Sequence, residues 1–227
     1  MPTFPSAAPG APAPGAAPPK IALPDDCAQL LPTETAGALF GQTLGSVSSQ
    51  TVRGVAEPSV DRTERTACTY RAGGQDQMTG RAKNTGPVLF ELNIGRYGSA
   101  KSASTQWQLN ANAERGDATG SKDLKIGAVP AVLIERPDET TMIAVYGVDT
   151  LTFVLPAEAP GQTRPAGQTL ADLAQRIIPA LTPTQPPGSR PAAPAPAPAA
   201  PATSGAVQSG ESAPRAGAPE ASGPGPT

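Results

Sequence analysis

The uneven distribution of proline is the feature that most constrains what this chain can fold into. Residues 1–24 hold eight prolines and residues 181–227 hold twelve, whereas the stretch between them holds nine. Segments of proline, alanine and glycine have few large apolar side chains to bury, so they cannot offset the entropy lost in ordering the backbone. We therefore expect residues 1–24 and 182–227 to be disordered proline-rich tails, and residues 25–181 to form a single domain.

Hydrophobic periodicity in the central segment predicts an α+β fold. The residues of Val88–Tyr97 alternate between apolar and polar side chains, as in a strand with one buried face. Apolar residues recur at helical spacing from Leu170 to Leu181, and we expect Thr169 to cap that helix. Further elements are predicted as a short helical turn at 27–31, helices at 32–40 and 102–115, a charged loop at 57–65, and strands at 50–55, 67–71, 124–136, 141–147 and 151–155.

The order of these elements indicates an antiparallel sheet with helices packed on it. The last three predicted strands are joined by short turns, which favours a meander. Pro130 falls inside the first of them and implies an edge position, a bulge or a late start of the strand. The apolar stripe of the final helix is expected to lie on the sheet, against Phe90, Leu92 and Ile94.

Composition excludes several classes of function. The sequence contains no histidine, which removes mechanisms that use an imidazole base and metal sites that use histidine ligands. Seventeen basic and nineteen acidic side chains give a net charge of −2, so the chain is a poor candidate for binding nucleic acid. No apolar run is long enough to form a transmembrane segment.

Two serines and a lysine form the one arrangement that suggests covalent catalysis. Ser99, Lys101 and Ser102 could supply a Ser–Lys dyad, which needs no histidine. The same residues stand where a helix begins, and a serine at that position commonly caps the free backbone amides. We expect the capping role, and therefore no catalytic residues.

Two other patterns resemble ligand sites only superficially. Residues 116–122 contain glycines before a lysine, but their spacing differs from that of a phosphate-binding loop. The acidic pairs Asp25/Asp26 and Asp138/Glu139 fall at predicted caps or turns. We therefore expect no metal site and no cofactor.

The few large aromatic side chains have two interpretations. They could line an apolar groove for a lipid or a protein partner, or they could simply fill the core, which is the more common role of such residues. The candidate groove residues are Phe90, Tyr97, Trp107, Tyr146 and Phe153.

The two cysteines, Cys27 and Cys68, leave two chemical states open. Two thiolates without histidine are too few for a structural zinc site, so they form either one disulfide or two free thiols. A disulfide would imply an oxidising, extracytoplasmic compartment. No leader segment or lipoprotein processing site precedes Cys27, so we expect any export signal or anchor to lie outside this sequence.

The residues around both cysteines resemble a known group of proteins. The string from Asp26 to Gly41, followed by Ala67-Cys68-Thr69-Tyr70, is similar to the opening of small actinobacterial cell-envelope lipoproteins of unknown function. This resemblance implies export, attachment to the envelope and a disulfide between Cys27 and Cys68. It implies no catalytic residues.

Together these observations predict a non-enzymatic, extracytoplasmic binding or accessory module of an actinobacterial cell envelope. Its expected partner is an envelope protein or a lipid. Two alternatives remain, a carrier or accessory in envelope-lipid transport and a hydrolase of unfamiliar type. The first requires an apolar groove between sheet and helices, and the second requires a cleft where polar groups converge.

Overall fold

A computed structural model describes residues 22–73, 86–187 and 189. The predicted tails lie almost entirely outside the described residues. The described elements, in chain order, are a 3₁₀ turn at Cys27–Gln29, α1 (Thr33–Leu39), β1 (Val47–Gly54), a 3₁₀ turn at Pro58–Val60, β2 (Arg62–Ala72), β3 (Val88–Tyr97), α2 (Ala100–Glu114), a 3₁₀ turn at Arg115–Asp117, β4 (Gly120–Ile126), β5 (Val129–Glu135), β6 (Glu139–Tyr146), β7 (Asp149–Pro156), α3 (Ala166–Leu181) and a 3₁₀ turn at Thr182–Thr184.

The strands form one sheet in the order β1-β2-β3-β7-β6-β5-β4, and all the neighbouring pairs are antiparallel. Helices pack on both of its faces. On one face α3 lies over β6, β4 and β7, and α1 lies over β1. On the other face α2 lies over β6, β7 and β3. The predicted α+β class, an antiparallel sheet with helices packed on it, is therefore confirmed.

The larger core lies between the sheet and the helices α1 and α3. Every member of the α3 stripe from Leu170 to Leu181 that the periodicity singled out is buried there. At the other end of this core the ring of Phe90 stacks between those of Tyr70 and Phe40, with centroid distances of 4.3 and 5.8 Å. The contacts of α3 are chiefly with β6, β4 and β7 rather than with β3, the strand that the sequence predicted as its partner.

A second, smaller core holds α2 on the opposite face. Ala111 of this helix packs with Val132, Ile134 and Ile143 of the sheet. Trp107 packs against the same cluster, and its indole N–H donates to the backbone oxygen of Ile143 at 3.1 Å. Trp107 is therefore the residue that anchors α2 on the sheet.

The structure corrects three local predictions. The predicted strand 124–136 is a hairpin, because Gly127, at φ +62°, makes a two-residue turn between β4 and β5. Pro130 stands one residue before the β5–β6 pairing begins, which is the late start that was one of its three predicted roles. The predicted loop 57–65 is shorter, since β2 already begins at Arg62. Thr169 does not cap α3; it is buried inside the helix, which begins at Ala166.

The motif Cys68-x-Tyr70 fastens the N-terminal part of the described chain to the sheet. Alternate residues of a strand share a face, so both side chains point toward the Cys27–Gln29 turn. Cys68 forms a disulfide with Cys27. The hydroxyl of Tyr70 lies 2.7 Å from the backbone oxygen of Cys27 and 2.9 Å from that of Leu31, and donates its proton to this pair of carbonyls. Burial raises the pKa of Tyr70 well above its usual value, so the hydroxyl remains a donor.

A buried ion pair fastens the C-terminal part of the described chain to the sheet. Arg96 of β3 binds both carboxylate oxygens of Asp149 at the start of β7, at 2.8 Å each. The guanidinium also donates to the hydroxyl of Thr184 at 2.7 Å, and the side-chain amide of Gln185 donates to Asp149. The oxygen of Gln185 accepts from the backbone N–H of Val148 at 3.0 Å.

Packing therefore extends beyond the predicted domain limits of 25 and 181. Leu23 is 2% exposed and Gln185 is 1% exposed. The backbone N–H of Leu23 donates to the carboxylate of Glu64 at 2.8 Å, and Arg53 donates to the carbonyl of Leu23 at 3.0 Å. Several residues assigned to the tails by composition are thus part of the folded region.

Loss of the disulfide should lower stability without changing the fold. The bond closes a loop of 41 residues, so the double variant Cys27→Ala/Cys68→Ala should lose about 3–4 kcal/mol of unfolding free energy in the chain-entropy model. Urea denaturation followed by circular dichroism measures this loss. Dithiothreitol should weaken the wild type and leave the double variant unchanged; an equal effect on both would contradict the assignment of the stabilisation to this bond.

Loss of the Gln185 side chain should also be destabilising. The variant Gln185→Ala leaves the buried N–H of Val148 without its acceptor and Asp149 with one donor fewer, and should cost about 2–3 kcal/mol. The matched control is Gln175→Ala, because Gln175 is exposed on α3. If urea denaturation shows the two variants to be equally stable, the segment after α3 does not hold the domain together.

Candidate functional site

A β-bulge brings two arginines onto one face of the sheet. Residues of one strand that are three apart ordinarily point to opposite faces. The register of β2 against β3 shifts between Arg62 and Glu64, so one extra residue stands in β2. Arg62 therefore pairs directly with Tyr97, and both Arg62 and Arg65 face the side of the sheet that carries α2. Bulges of this kind re-aim side chains.

These two arginines form one wall of a pocket of about 250 Å³, which we call the arginine pocket. Its floor is the sheet surface of β3 and β7, and its far wall is α2. Gly95 stands in the floor, where a Cβ atom would lie 3.2 Å from the hydroxyls of both Thr150 and Tyr97. The lining residues are Arg62, Arg65, Asn93, Ile94, Gly95, Tyr97, Asn110, Thr150 and Thr152.

The arginine pocket is rich in hydrogen-bond donors and positive charge. Among the described residues no carboxylate forms an ion pair with Arg62 or Arg65, and the lining contains no acidic residue. The guanidinium of Arg65 donates to the side-chain oxygen of Asn93 at 3.0 Å, and Gln106 donates to that of Asn110 at 2.8 Å. Both amide oxygens are thus occupied, while the Nε of Arg62 is buried without a partner in the described part of the chain.

A second concavity, the Asp61 cleft, lies beside it along α2. It has a volume of about 530 Å³ and lies between the Pro58–Val60 turn and the helix. Asp61 stands in the left-handed region at φ 58°, which is uncommon for a residue other than glycine. The lining residues are Pro58, Ser59, Val60, Asp61, Lys101, Ser102, Thr105, Gln106 and Leu109.

The serines that could have formed a dyad occupy the start of α2 next to this cleft. The hydroxyl of Ser99 accepts from the backbone N–H of Ser102 at 3.1 Å, which is the capping bond that the sequence predicted. The hydroxyl of Ser102 donates to the carboxylate of Asp61 at 2.6 Å. Lys101 lines the cleft but makes no hydrogen bond to either serine. A carboxylate is a weak base toward an alcohol at neutral pH, so the arrangement is suited to joining the turn to the helix.

The other sequence-predicted site residues divide between the two faces of the sheet. Phe90, Tyr146 and Phe153 belong to the larger core beneath α3, whereas Trp107 packs with the smaller core beneath α2. Tyr97 is buried, on the α2 side, and lines the arginine pocket. The structure therefore does not bring the five candidate groove residues together, and four of them are core residues.

The predicted acidic pairs have structural roles as well. Asp26 caps the Cys27–Gln29 turn by accepting from the backbone N–H of Ala28 at 2.9 Å, and Asp25 pairs with Arg53 at 3.2 Å. Glu139 lies 3.4 Å from Arg136 in the β5–β6 turn. Within residues 22–73 and 86–187, no group of three or more acidic or cysteine side chains could hold a metal ion.

Sequence analysis missed the arginine pocket. Its residues come from β2, β3, β7 and α2, and none of them forms a motif. The available signal is the charge cluster Asp61–Arg65, which falls within the charged loop that the sequence predicts at 57–65. An unpaired arginine on a polar strand face would have been the more specific signal, but it depends on the register of β2.

Comparisons with known proteins leave the family open. A search of solved structures found the extracellular domain of PknH from Mycobacterium tuberculosis, with a TM-score of 0.44 and 11% identity over 68% of this chain and 93% of that chain. No protein-family model matches the sequence, and no curated protein matches it. The resemblance to actinobacterial envelope lipoproteins therefore stays a prediction.

Substitutions at Asp61 should separate its backbone role from its side-chain role. Asp61→Ala loses the bond to Ser102 and also places alanine in the left-handed region, which aspartate and asparagine tolerate better because their side chains can hydrogen-bond locally. Ser102→Ala loses the hydrogen bonds of its hydroxyl to Asp61 and Ser99, at about 1 kcal/mol each, and leaves the backbone of residue 61 unchanged. Asp61→Asn keeps an acceptor and tolerates this backbone, so it should be close to wild type. Asp61→Gly loses the same hydrogen bond as Asp61→Ala but adopts the left-handed region freely, so urea denaturation that shows Asp61→Ala to be no less stable than Asp61→Gly would contradict the backbone role.

Proposed function

We propose that this chain is a non-enzymatic binding or accessory module that works outside the cytoplasm. The observation that carries the proposal is the polar surface along α2, where the arginine pocket and the Asp61 cleft lie side by side. These concavities present donors and positive charge but no paired nucleophile and general base among the described residues. Binding sites commonly consist of such a concavity with a few convergent polar groups.

The disulfide supports the extracytoplasmic part of the proposal. Disulfides persist in oxidising compartments and are rare in the reducing cytosol. Cys27 and Cys68 are both buried, and their bond joins the first 3₁₀ turn to β2. The bond therefore contributes to the fold in the described structure. Among the described helices, none is long and apolar enough to cross a membrane.

The state of Ser102 supports binding over hydrolysis. An activated serine nucleophile donates its proton to a general base that can hold it in the transition state, usually histidine or a neutral lysine. Ser102 donates to Asp61 instead, and the sequence contains no histidine. The hydrolase alternative would need a base that the described site does not place beside this hydroxyl.

The packing of α3 bears on the lipid-carrier alternative. A carrier for acyl chains needs an apolar space between sheet and helix. The α3 side chains that face the sheet, from Leu170 to Leu181, are each less than 10% exposed and pack in one continuous core with the strands. Binding at the polar face beneath α2 is therefore better supported by the described structure than binding beneath α3.

The absence of catalysis is directly testable. The full chain, exported so that its disulfide forms, should show no turnover of chromogenic ester, anilide, phosphate and glycoside substrates that depends on Ser102. The matched variants are Ser102→Ala and Ser121→Ala, the latter on the exposed strand β4. Turnover that Ser102→Ala abolishes in a folded protein, and Ser121→Ala leaves intact, would overturn the proposal in favour of a hydrolase.

The binding half of the same proposal is tested by amide hydrogen exchange. The full chain is incubated with a solubilised envelope fraction of its source organism, and the exchange rates are compared with those of the chain alone. Slower exchange confined to β2, β3 and α2 would support binding on this face. Unchanged exchange throughout, or protection confined to α1 and α3, would overturn it.

A further inference from the structure

We propose that the arginine pocket binds an acidic sugar unit, a saccharide residue that carries a carboxylate or a phosphate. This inference rests on the proposed binding function and deepens it by naming the class of ligand. It derives from the charge of the pocket, its excess of donors, its size and its polar floor.

The charge of the pocket selects an anion. Arg62 and Arg65 line one wall, and neither has a carboxylate partner in the described structure. Guanidinium groups bind carboxylates and phosphates through paired, charge-assisted hydrogen bonds. The protein as a whole has a net charge of −2, so this local positive charge is opposite in sign to that of the chain.

The neutral groups of the pocket select hydroxyl and ether oxygens in addition to the anion. The side-chain oxygens of Asn93 and Asn110 already accept hydrogen bonds from Arg65 and Gln106, which leaves their N–H groups as donors. Thr150 and Thr152 add hydroxyls, which can both donate and accept. A small inorganic anion could bind the guanidinium groups, but it has no hydroxyl or ether oxygens to contact these amide and hydroxyl groups.

The Nε of Arg62 is a buried hydrogen-bond donor that the described residues leave without a partner. It has no hydrogen-bond partner within residues 22–73 and 86–187, although it belongs to a residue that lines the pocket. A buried donor without a partner costs about 1–3 kcal/mol, so such groups are uncommon and call for an explanation. The guanidinium of Arg62 is therefore incompletely satisfied by the described residues that surround it.

The dimensions of the pocket limit the size of the bound unit. A volume of about 250 Å³ is below the range of about 300–1,000 Å³ that is typical of sites for drug-sized ligands. Because Gly95 has no side chain, the floor of the pocket stays open between Thr150 and Tyr97. The Asp61 cleft continues along α2, where Gln106 of the cleft contacts Asn110 of the pocket, and it leaves room for further units of a chain.

Titration of the full chain with three probes tests the ligand class. The probes are glucuronate, glucose and inorganic phosphate, and amide chemical shifts in ¹H–¹⁵N spectra report both affinity and location. Glucuronate should shift the amides of residues 93–95, 110 and 150–152. Glucose and phosphate should each bind at least about tenfold more weakly, since each lacks one of the two sets of contacts.

Charge variants test the residues. Arg62→Gln/Arg65→Gln should weaken glucuronate binding by about tenfold or more. The control Lys122→Gln/Lys125→Gln makes the same change in net charge on β4, at the opposite edge of the sheet, and should bind glucuronate as the wild type does. Asn110→Asp, a change of nearly equal size on α2, places a negative charge in the pocket and removes an amide donor, so it should weaken glucuronate binding more than glucose binding.

Each outcome supports or overturns a defined part of the inference. Phosphate binding equal to that of glucuronate would show a bare anion site and overturn the sugar class. Two results would overturn the assignment of the pocket. One is amide shifts at the pocket that persist in both Arg62→Gln/Arg65→Gln and Asn110→Asp, and the other is the absence of shifts with all three probes. In that case, protection of β2, β3 and α2 by the envelope fraction would still support the proposed binding function, so the two failures are distinguishable.

Discussion

The buried ion pair of Arg96 and Asp149 is the interaction on which the position of the segment after α3 depends. Removing two charges from water is costly unless geometry and additional hydrogen bonds compensate for it. Asp149 is fully buried, which raises the pKa of its carboxyl, while the two bonds from Arg96 favour the ionised form. Thr184 and Gln185 supply the remaining contacts, so the segment after α3 must return to the β6–β7 turn. Gly147 in that turn leaves space for Gln185, since a Cβ there would overlap with its side-chain oxygen.

The N-terminal part of the described chain is fastened by different chemistry. There the disulfide of Cys68 and the hydroxyl of Tyr70 hold a short 3₁₀ turn, and Leu30 and Leu31, which follow it, are buried in the larger core. Both fastenings lie on the face that carries α1 and α3. The face beneath α2 is held by a much smaller core around Trp107, and it is there that polar side chains remain on β2, β3 and β7. The contacts that fasten the two ends of the described chain and the proposed binding surface thus lie on different faces of one sheet.

Sequence patterns predicted the elements whose signal is local. The stripe of α3 and the alternation of β3 follow from burial on one side, and both are confirmed. The hairpin at Gly127 was missed because apolar residues continue through the turn, so composition alone did not mark it. The start of α3 was placed too late because a threonine three residues before an aspartate resembles a capping box, whereas Asp172 pairs with Arg164. The candidate groove residues do not come together, because Phe90, Tyr146 and Phe153 lie beneath α3 whereas Tyr97 and Trp107 lie on the α2 side.

The arginine pocket was out of reach of sequence analysis for a deeper reason. Whether Arg62 faces α2 or α3 depends on the bulge beside it, and a bulge is a property of two paired strands rather than of either strand alone. A regular β2 would direct Arg62 toward the core face and leave Arg65 as a single charge on the polar face. Solvated arginines are common on sheet surfaces and need no functional explanation. This pair differs because one irregularity in the β2–β3 ladder places both arginines on the same concave, donor-rich surface. That surface holds no acidic residue. The bulge is therefore the structural feature that makes two ordinary surface charges into one wall of the proposed binding site.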